Sequence, residues 1–161
     1  MSVTKKILLI LFIAFILIQF IRPEKNLSAG QAPDDIFNRY PATGNVKHLV
    51  ITACYDCHGN NTNYPWYATI QPVAWWLTRH VKQGKRHLNF NEFAKYTAKR
   101  ADHKLEEVID EVNEDKMPLK SYTFIHRNAE LTKAQRKEIT DWAAATRKII
   151  MADSLSKASQ L

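Results

Sequence analysis

Cysteine is nearly missing from this chain: Cys54 and Cys57 are the only two among 161 residues. So few thiols argue against a disulfide-stapled scaffold, and a bridge between these two would close too small a loop to stabilise much. Histidine is present six times, yet neither His48 with His58 nor His80 with His87 has the spacing that would complete a four-ligand zinc site with the cysteines. No stretch alternates well enough to read as a strand, so a thioredoxin-type dithiol lacks its βαβ context. There is no internal repeat and no low-complexity tract. Charge of one sign is not in large excess either. Residues 26–161 hold 19 Lys and Arg against 15 Asp and Glu, a net +4 that is too mild to argue for nucleic acid.

What is present is the run Cys54-Tyr55-Asp56-Cys57-His58, a CxxCH motif. Cysteines three apart on a helix point the same way, so both sulfurs can reach the two vinyl groups on one edge of a porphyrin. The imidazole that follows can then take an axial position on the iron. Upstream, Val46, Leu49, Val50, Ala53, Cys54 and Cys57 fall on one helical stripe, which predicts a helix burying the face that carries the thiols. The run therefore predicts one covalent haem c, with Cys54 and Cys57 as thioether anchors and His58 as the proximal iron ligand. Gly59 supplies a stop, and Asn60-Asn61-Thr62-Asn63 reads as the loop beyond.

The N-terminus addresses location. Lys5 and Lys6 precede an apolar run from Ile7 to Ile21, interrupted only by Gln19, before Arg22-Pro23-Glu24-Lys25 restores polarity. This is an export signal. Its length of about fifteen residues falls short of the roughly twenty that span a bilayer. The nearest small-residue cleavage site, Leu27-Ser28-Ala29-Gly30, comes late. Residues 1–25 are thus expected to remain as an anchor in the bacterial inner membrane, with the lysines inside and the remainder on the periplasmic side; a cleaved signal peptide is the alternative. Export suits covalent haem, which bacteria attach outside the cytoplasmic membrane.

Residues 26–45 read as an extended tether, 46–151 as the haem-binding domain and 152–161 as a flexible tail. Three further helices are legible. One opens at Pro72 and carries Val73, Trp76, Leu77, His80, Val81 and Gly84 on one stripe. The next turns Leu105, Val108, Ile109 and Val112 inward, and the last opens with Thr132 and Gln135 as a capping box and buries Ile139, Trp142, Ala143, Thr146, Ile149 and Ile150. A shorter helix is expected near Asn91–Lys99. From Arg79 to Lys104 eight basic residues oppose two acids, and six acids follow between Glu106 and Asp115. Solvated helix faces account for this, with a docking patch for an acidic partner or anionic lipid as the alternative.

For the second axial position of the iron, Met117 is the first candidate: Pro118 biases it out of helical geometry and fixes it in an extended turn. Packing in the core is its other possible role. His80, on the apolar stripe of its helix, is the runner-up, or else a core histidine satisfied by a hydrogen bond. His87, His103 and His126 are expected in solvent, and His48 lies off the stripe. Tyr64, Trp66, Trp75 and Trp76 form an aromatic cluster that can line a porphyrin or serve as ordinary core, with Tyr64, Trp66 and Trp76 the expected walls. The carbonyl of Pro65 or Pro72 is the expected partner of the other His58 nitrogen.

Read together, Ala53-Cys54-Tyr55-Asp56-Cys57-His58, Asn60 to Tyr67, Pro72-Val73-Ala74-Trp75-Trp76, His87-Leu88-Asn89-Phe90, Met117-Pro118 and Leu131-Thr132 resemble the small bacterial haem-binding domain proteins related to class I cytochromes c. The likeness covers roughly residues 35–147, and Gly59 stands where that family more often has serine. It implies an all-α, class I cytochrome c-like fold around one covalent haem, with His58 proximal and Met117 distal to the iron. The expected function is one-electron transfer with redox partner proteins rather than conversion of a substrate. A haem peroxidase, or a gas or redox sensor with an open or displaceable sixth site, is the alternative.

Overall fold

Helices make up all the regular structure among the residues described in this computed structural model, 2–30 and 32–159. In chain order they are α1 (Val3–Ile18), α2 (Ile36–Arg39), α3 (Gly44–His58), α4 (Val73–His87), α5 (Ala98–Asn113), α6 (Lys120–Thr123) and α7 (Lys133–Ala158). Short 3-10 turns lie at Trp66–Thr69, Phe90–Lys95 and Arg127–Ala129. The all-α expectation holds, and the short helix sought near Asn91 is the second of these turns.

Helix α1 is apolar on every side and buries none of its residues. It ends at Ile18, three residues before the apolar run does, because Gln19 caps it and the chain then leaves the helix. Among the described residues no helix is long and apolar enough to cross a membrane.

The segment 26–45 is not the free tether that its prolines suggested. Asn26 sends its side-chain amide to the Gly59 carbonyl and to Thr62 Oγ1, both at 2.9 Å, and its backbone N–H to the Tyr64 hydroxyl at 2.8 Å. Further on, Asp35 caps α2 by accepting from Phe37 N, and Ile36, Phe37 and Tyr40 join the core. Nor does the chain fray after Met151, since α7 continues to Ala158. Met1, Gln31 of the expected tether and the last two residues of the expected tail lie outside the described residues.

The long helices start where side-chain oxygens replace missing helical partners. Thr43 accepts from Val46 N, Thr97 from Arg100 N, and Thr132 and Gln135 form the reciprocal capping box. Helix α4 begins at Val73, with Pro72 one position outside it.

The core lies between α3, α5 and α7, with α2 and the Phe90–Lys95 turn closing one end. Val46, Leu49, Val50 and Ala53 supply the α3 face, Leu105 and Val112 that of α5, and Ile139, Ala143 and Ile150 that of α7. Each large side chain removed from water here contributes about 1.5–3 kcal/mol. One stripe residue departs from expectation: Ile149 is 50% exposed, because the α7 face that α5 and α3 cover is narrower than the apolar stripe. Arg147 of α7 fastens α5 by a fork onto Asp102 (2.7 and 3.1 Å) and a third bond to Glu106 at 3.0 Å. That guanidinium holds the Asp102 carboxyl below its ordinary pKa. The charge runs are partly spent within α5, where Lys104 pairs with Glu107 at 2.6 Å and His103 with Glu106 at 3.4 Å.

Candidate functional site

The C-terminal turn of α3 carries Cys54, Cys57 and His58, and α4 crosses it at Gly84. A Cβ built on Gly84 would lie 2.7 Å from the Cys57 carbonyl oxygen, so only glycine allows this crossing. Gly59 is equally confined, its Cβ position being 2.7 Å from the Tyr55 carbonyl oxygen. A serine there would force the backbone to shift.

His58 Nδ1 donates to the carbonyl oxygen of Leu88 at 3.0 Å. The anchoring carbonyl is thus that of Leu88, not of Pro65 or Pro72, and it comes from the residue that caps α4. Burial lowers the His58 pKa, which keeps the ring neutral, and with Nδ1 committed as donor the lone pair resides on Nε2. Phe90 meets the ring edge-on at 6.3 Å between centroids. An imidazole that binds a metal through Nε2 is oriented by such a bond at its other nitrogen.

Both cysteines are free. Burial pushes the Cys54 thiol up to about 12 and the Cys57 thiol up to about 11. Reactive dithiols have thiolates stabilised by positive charge or a helix N-terminus; these two sit at a helix C-terminus and stay protonated near neutral pH.

Beside Cys57 opens a cavity of 380 Å³. Its apolar walls are the α4 stripe, Val73, Trp76, Leu77 and Val81, facing Leu119 and Ile125 from the α6 region. The stripe predicted to be packed is therefore largely a cavity wall, and Trp76 remains 48% exposed. His80 lines it too, its Nδ1 donating to the Trp76 carbonyl at 2.9 Å and its ring 4.3 Å from the Trp76 ring.

Opposite α4 lies a polar fixture that sequence reasoning missed. Tyr122 donates to Asp56 Oδ2 at 2.7 Å, and the Asn63 backbone N–H donates to Asp56 Oδ1 at 2.9 Å. Burial, and then the bond to Asp56, raises the pKa of the Tyr122 phenol and keeps it protonated. The His126 ring stacks on Tyr122 at 4.4 Å, and its Nε2 lies 2.9 Å from the Tyr67 hydroxyl. His126 was expected in solvent; it lines the cavity because α6 folds back over the CxxCH turn. His126 follows the end of α6, and its backbone N–H bonds back to the Tyr122 carbonyl at 2.9 Å, a contact that no sequence period marks.

Of the sequence candidates, Cys57, Trp76 and His80 line this cavity, and His58 does not. Cys54 lies one turn back, packed against the core. Tyr64 and Trp66 do not line it. The Tyr64 hydroxyl is taken by Asn26, and Trp66 stands 77% exposed on its 3-10 turn. Met117 is half-buried between α5 and α6, with its N–H on the Glu111 carbonyl at 3.0 Å, two residues before the wall residue Leu119. A second, polar groove of 710 Å³ runs between residues 24–28 and α4 past Lys82, Lys85 and Arg86, and touches none of Cys54, Cys57 or His58.

Two protonated thiols at i and i+3, a neutral imidazole oriented through Nδ1, and an apolar cavity that Cys57 lines suit a flat macrocycle. A family model described as a haem-binding domain matches residues 13–145. No curated protein and no solved structure matches the chain.

Proposed function

The chain belongs to the haem-binding domain family, and we propose that it is a membrane-anchored monohaem c-type cytochrome that passes single electrons to and from redox partner proteins. Cys54 and Cys57 would hold the porphyrin as thioethers, with His58 Nε2 and Met117 Sδ on the iron. The group when bound supplies reversible exchange of one electron between ferrous and ferric states. The residues of the chain do the rest. Leu88 fixes the His58 ring, Val73, Trp76, Leu77 and Leu119 keep water away, and the bond from Tyr122 to Asp56 ties the α6 region to the CxxCH turn. The observation that carries this reading is the bond from His58 Nδ1 to Leu88, next in sequence to two free thiols of which Cys57 lines an apolar cavity.

The anchor part of the proposal is supported by α1. Its sixteen residues reach about 24 Å, of which the twelve from Ile7 to Ile18, about 18 Å, are apolar on all sides, with Lys5 and Lys6 at one end and Arg22 beyond the other. Long basic side chains can make up the difference to a bilayer core of about 30 Å. We place the remaining domain on the periplasmic side.

The test is a visible spectrum and an intact mass of the chain matured in a bacterial host that attaches c-type haem. The expected result is one haem that survives denaturation and is lost in the variant Cys54→Ala with Cys57→Ala. A bare polypeptide, or haem retained by that variant, overturns the reading.

A second reading, a haem peroxidase or gas sensor, is favoured by one observation: His80 and His126 line the cavity while Met117 does not. Binding of carbon monoxide or cyanide by the wild-type chain at low concentration selects this reading; a six-coordinate low-spin iron indifferent to both selects the electron carrier.

A further inference from the structure

The end of α1 is fastened to the start of α4. The Gln71 backbone N–H donates to Gln19 Oε1 at 2.9 Å, while Gln19 Nε2 donates to the Gln71 carbonyl at 3.3 Å. Gln71 is itself 1% exposed. Its side-chain amide donates to the Ile21 carbonyl at 2.9 Å, which also receives the Trp75 indole N–H at 3.0 Å. Two chain segments fifty residues apart are thus joined by four hydrogen bonds, and α1 leaves the domain in a set direction.

Around this joint stand large apolar side chains with nothing over them. Phe20 is 80% exposed, Ile21 63%, Trp66 77% and Ile70 37%. Phe20 and Ile21 follow Gln19, Trp66 and Ile70 lie within five residues of Gln71, and Arg22-Pro23-Glu24-Lys25 comes next in the chain, two cations to one acid. Tryptophan flanked by aliphatic side chains and a few cations is the composition that settles at the level of lipid headgroups, and the cations suit anionic ones. The patch continues from α1, the proposed membrane anchor.

We propose that this patch, Phe20, Ile21, Trp66 and Ile70, rests in the headgroup layer of the membrane that receives α1. The inference depends on the anchor reading of α1. It makes the domain a body held flat on the bilayer instead of a bead on a flexible stalk. Val73 and Trp76, the cavity walls in the first turns of α4, then lie close to the lipid surface, so the electron partner is met at the membrane and not deep in the periplasm.

The full-length, haem-loaded chain in vesicles of phosphatidylethanolamine and phosphatidylglycerol, doped with a phospholipid carrying a diazirine near its headgroup, provides the test. After illumination and digestion, lipid adducts are located by mass spectrometry. The expected pattern is adducts on α1, on residues 20–22 and on residues 66–71, with none on Ile149, which is exposed on α7, a helix that packs on α5 and α3. Gln19→Ala should lower the yield at 66–71 several-fold while α1 labelling persists. Adducts on α1 alone overturn the inference and leave the anchor standing, whereas absence of adducts on α1 overturns both. Labelling of 66–71 that only equals that of Ile149, or that is undiminished in Gln19→Ala, also overturns the inference.

Discussion

Tyr122 on α6 donates its hydroxyl hydrogen to the Asp56 carboxylate 2.7 Å away, across 66 residues of sequence. Asp56 lies inside the CxxCH motif, so this bond ties the α6 region to the helical turn that carries the two thiols. Tyr122→Phe removes the donor and little else. A hydrogen bond to a charged acceptor contributes about 1.5–3 kcal/mol, less where water can substitute, so a loss of about 1–2 kcal/mol is expected. The check is the urea midpoint at constant slope; an unchanged midpoint would show that the bond contributes nothing.

Gly84→Ala sets two effects against each other. Alanine is preferred inside a helix by about 1 kcal/mol. Its methyl group, however, would press on the Cys57 carbonyl at 2.7 Å, and neither backbone can yield without opening the α3–α4 crossing. Overpacking of this kind costs about 1–3 kcal/mol, so a net loss is expected. Thermal unfolding decides it, and a rise in the midpoint would mean that the crossing has slack.

Met117→Ala tests the distal ligand. If Met117 holds the iron, its removal lowers the midpoint potential and lets carbon monoxide bind the ferrous form. His80→Ala should leave both properties near wild type. If the spectrum is unchanged in Met117→Ala and altered in His80→Ala, the roles are reversed.

Acid should loosen α5 from α7. The Arg147 hydrogen bond holds Asp102 below its ordinary pKa in the folded chain. A depressed carboxylate contributes stability above its unfolded value of about 3.9, and that stability is lost as pH falls through the folded value. Unfolding free energies measured between pH 2 and 6 should therefore fall more steeply below about pH 4 in the wild type than in Asp102→Asn. Parallel curves would assign the acid loss to other carboxylates.

The legible parts of this fold share one property. Helices α3, α4, α5 and α7 are long enough for a 3.6-residue period to repeat, and the caps at Thr132 and Gln135 are local in sequence. Helices α2 and α6, four residues each, are too short to show a period. CxxCH marks the site because its residues are adjacent, whereas the Leu88 carbonyl reaches His58 from 30 residues away and carries no side-chain signature. Trp66 shows the limit from the other side: its residue type suggested a porphyrin wall, but composition gives no direction, and the 3-10 turn leaves it outside the cavity. His126 is the opposite case, a loop histidine drawn into the site by the fold of α6.

Asn26 bears on whether residues 1–29 can be removed without loosening the fold. It binds the Gly59 carbonyl, Thr62 and Tyr64, and Lys85 Nζ donates to its side-chain oxygen at 2.7 Å. A peptidase cutting after Ala29 would discard this clasp together with the leader, leaving the loop after His58 and the far end of α4 without their common partner. Removal of residues 1–29 is thus at odds with the packing of the loop after His58.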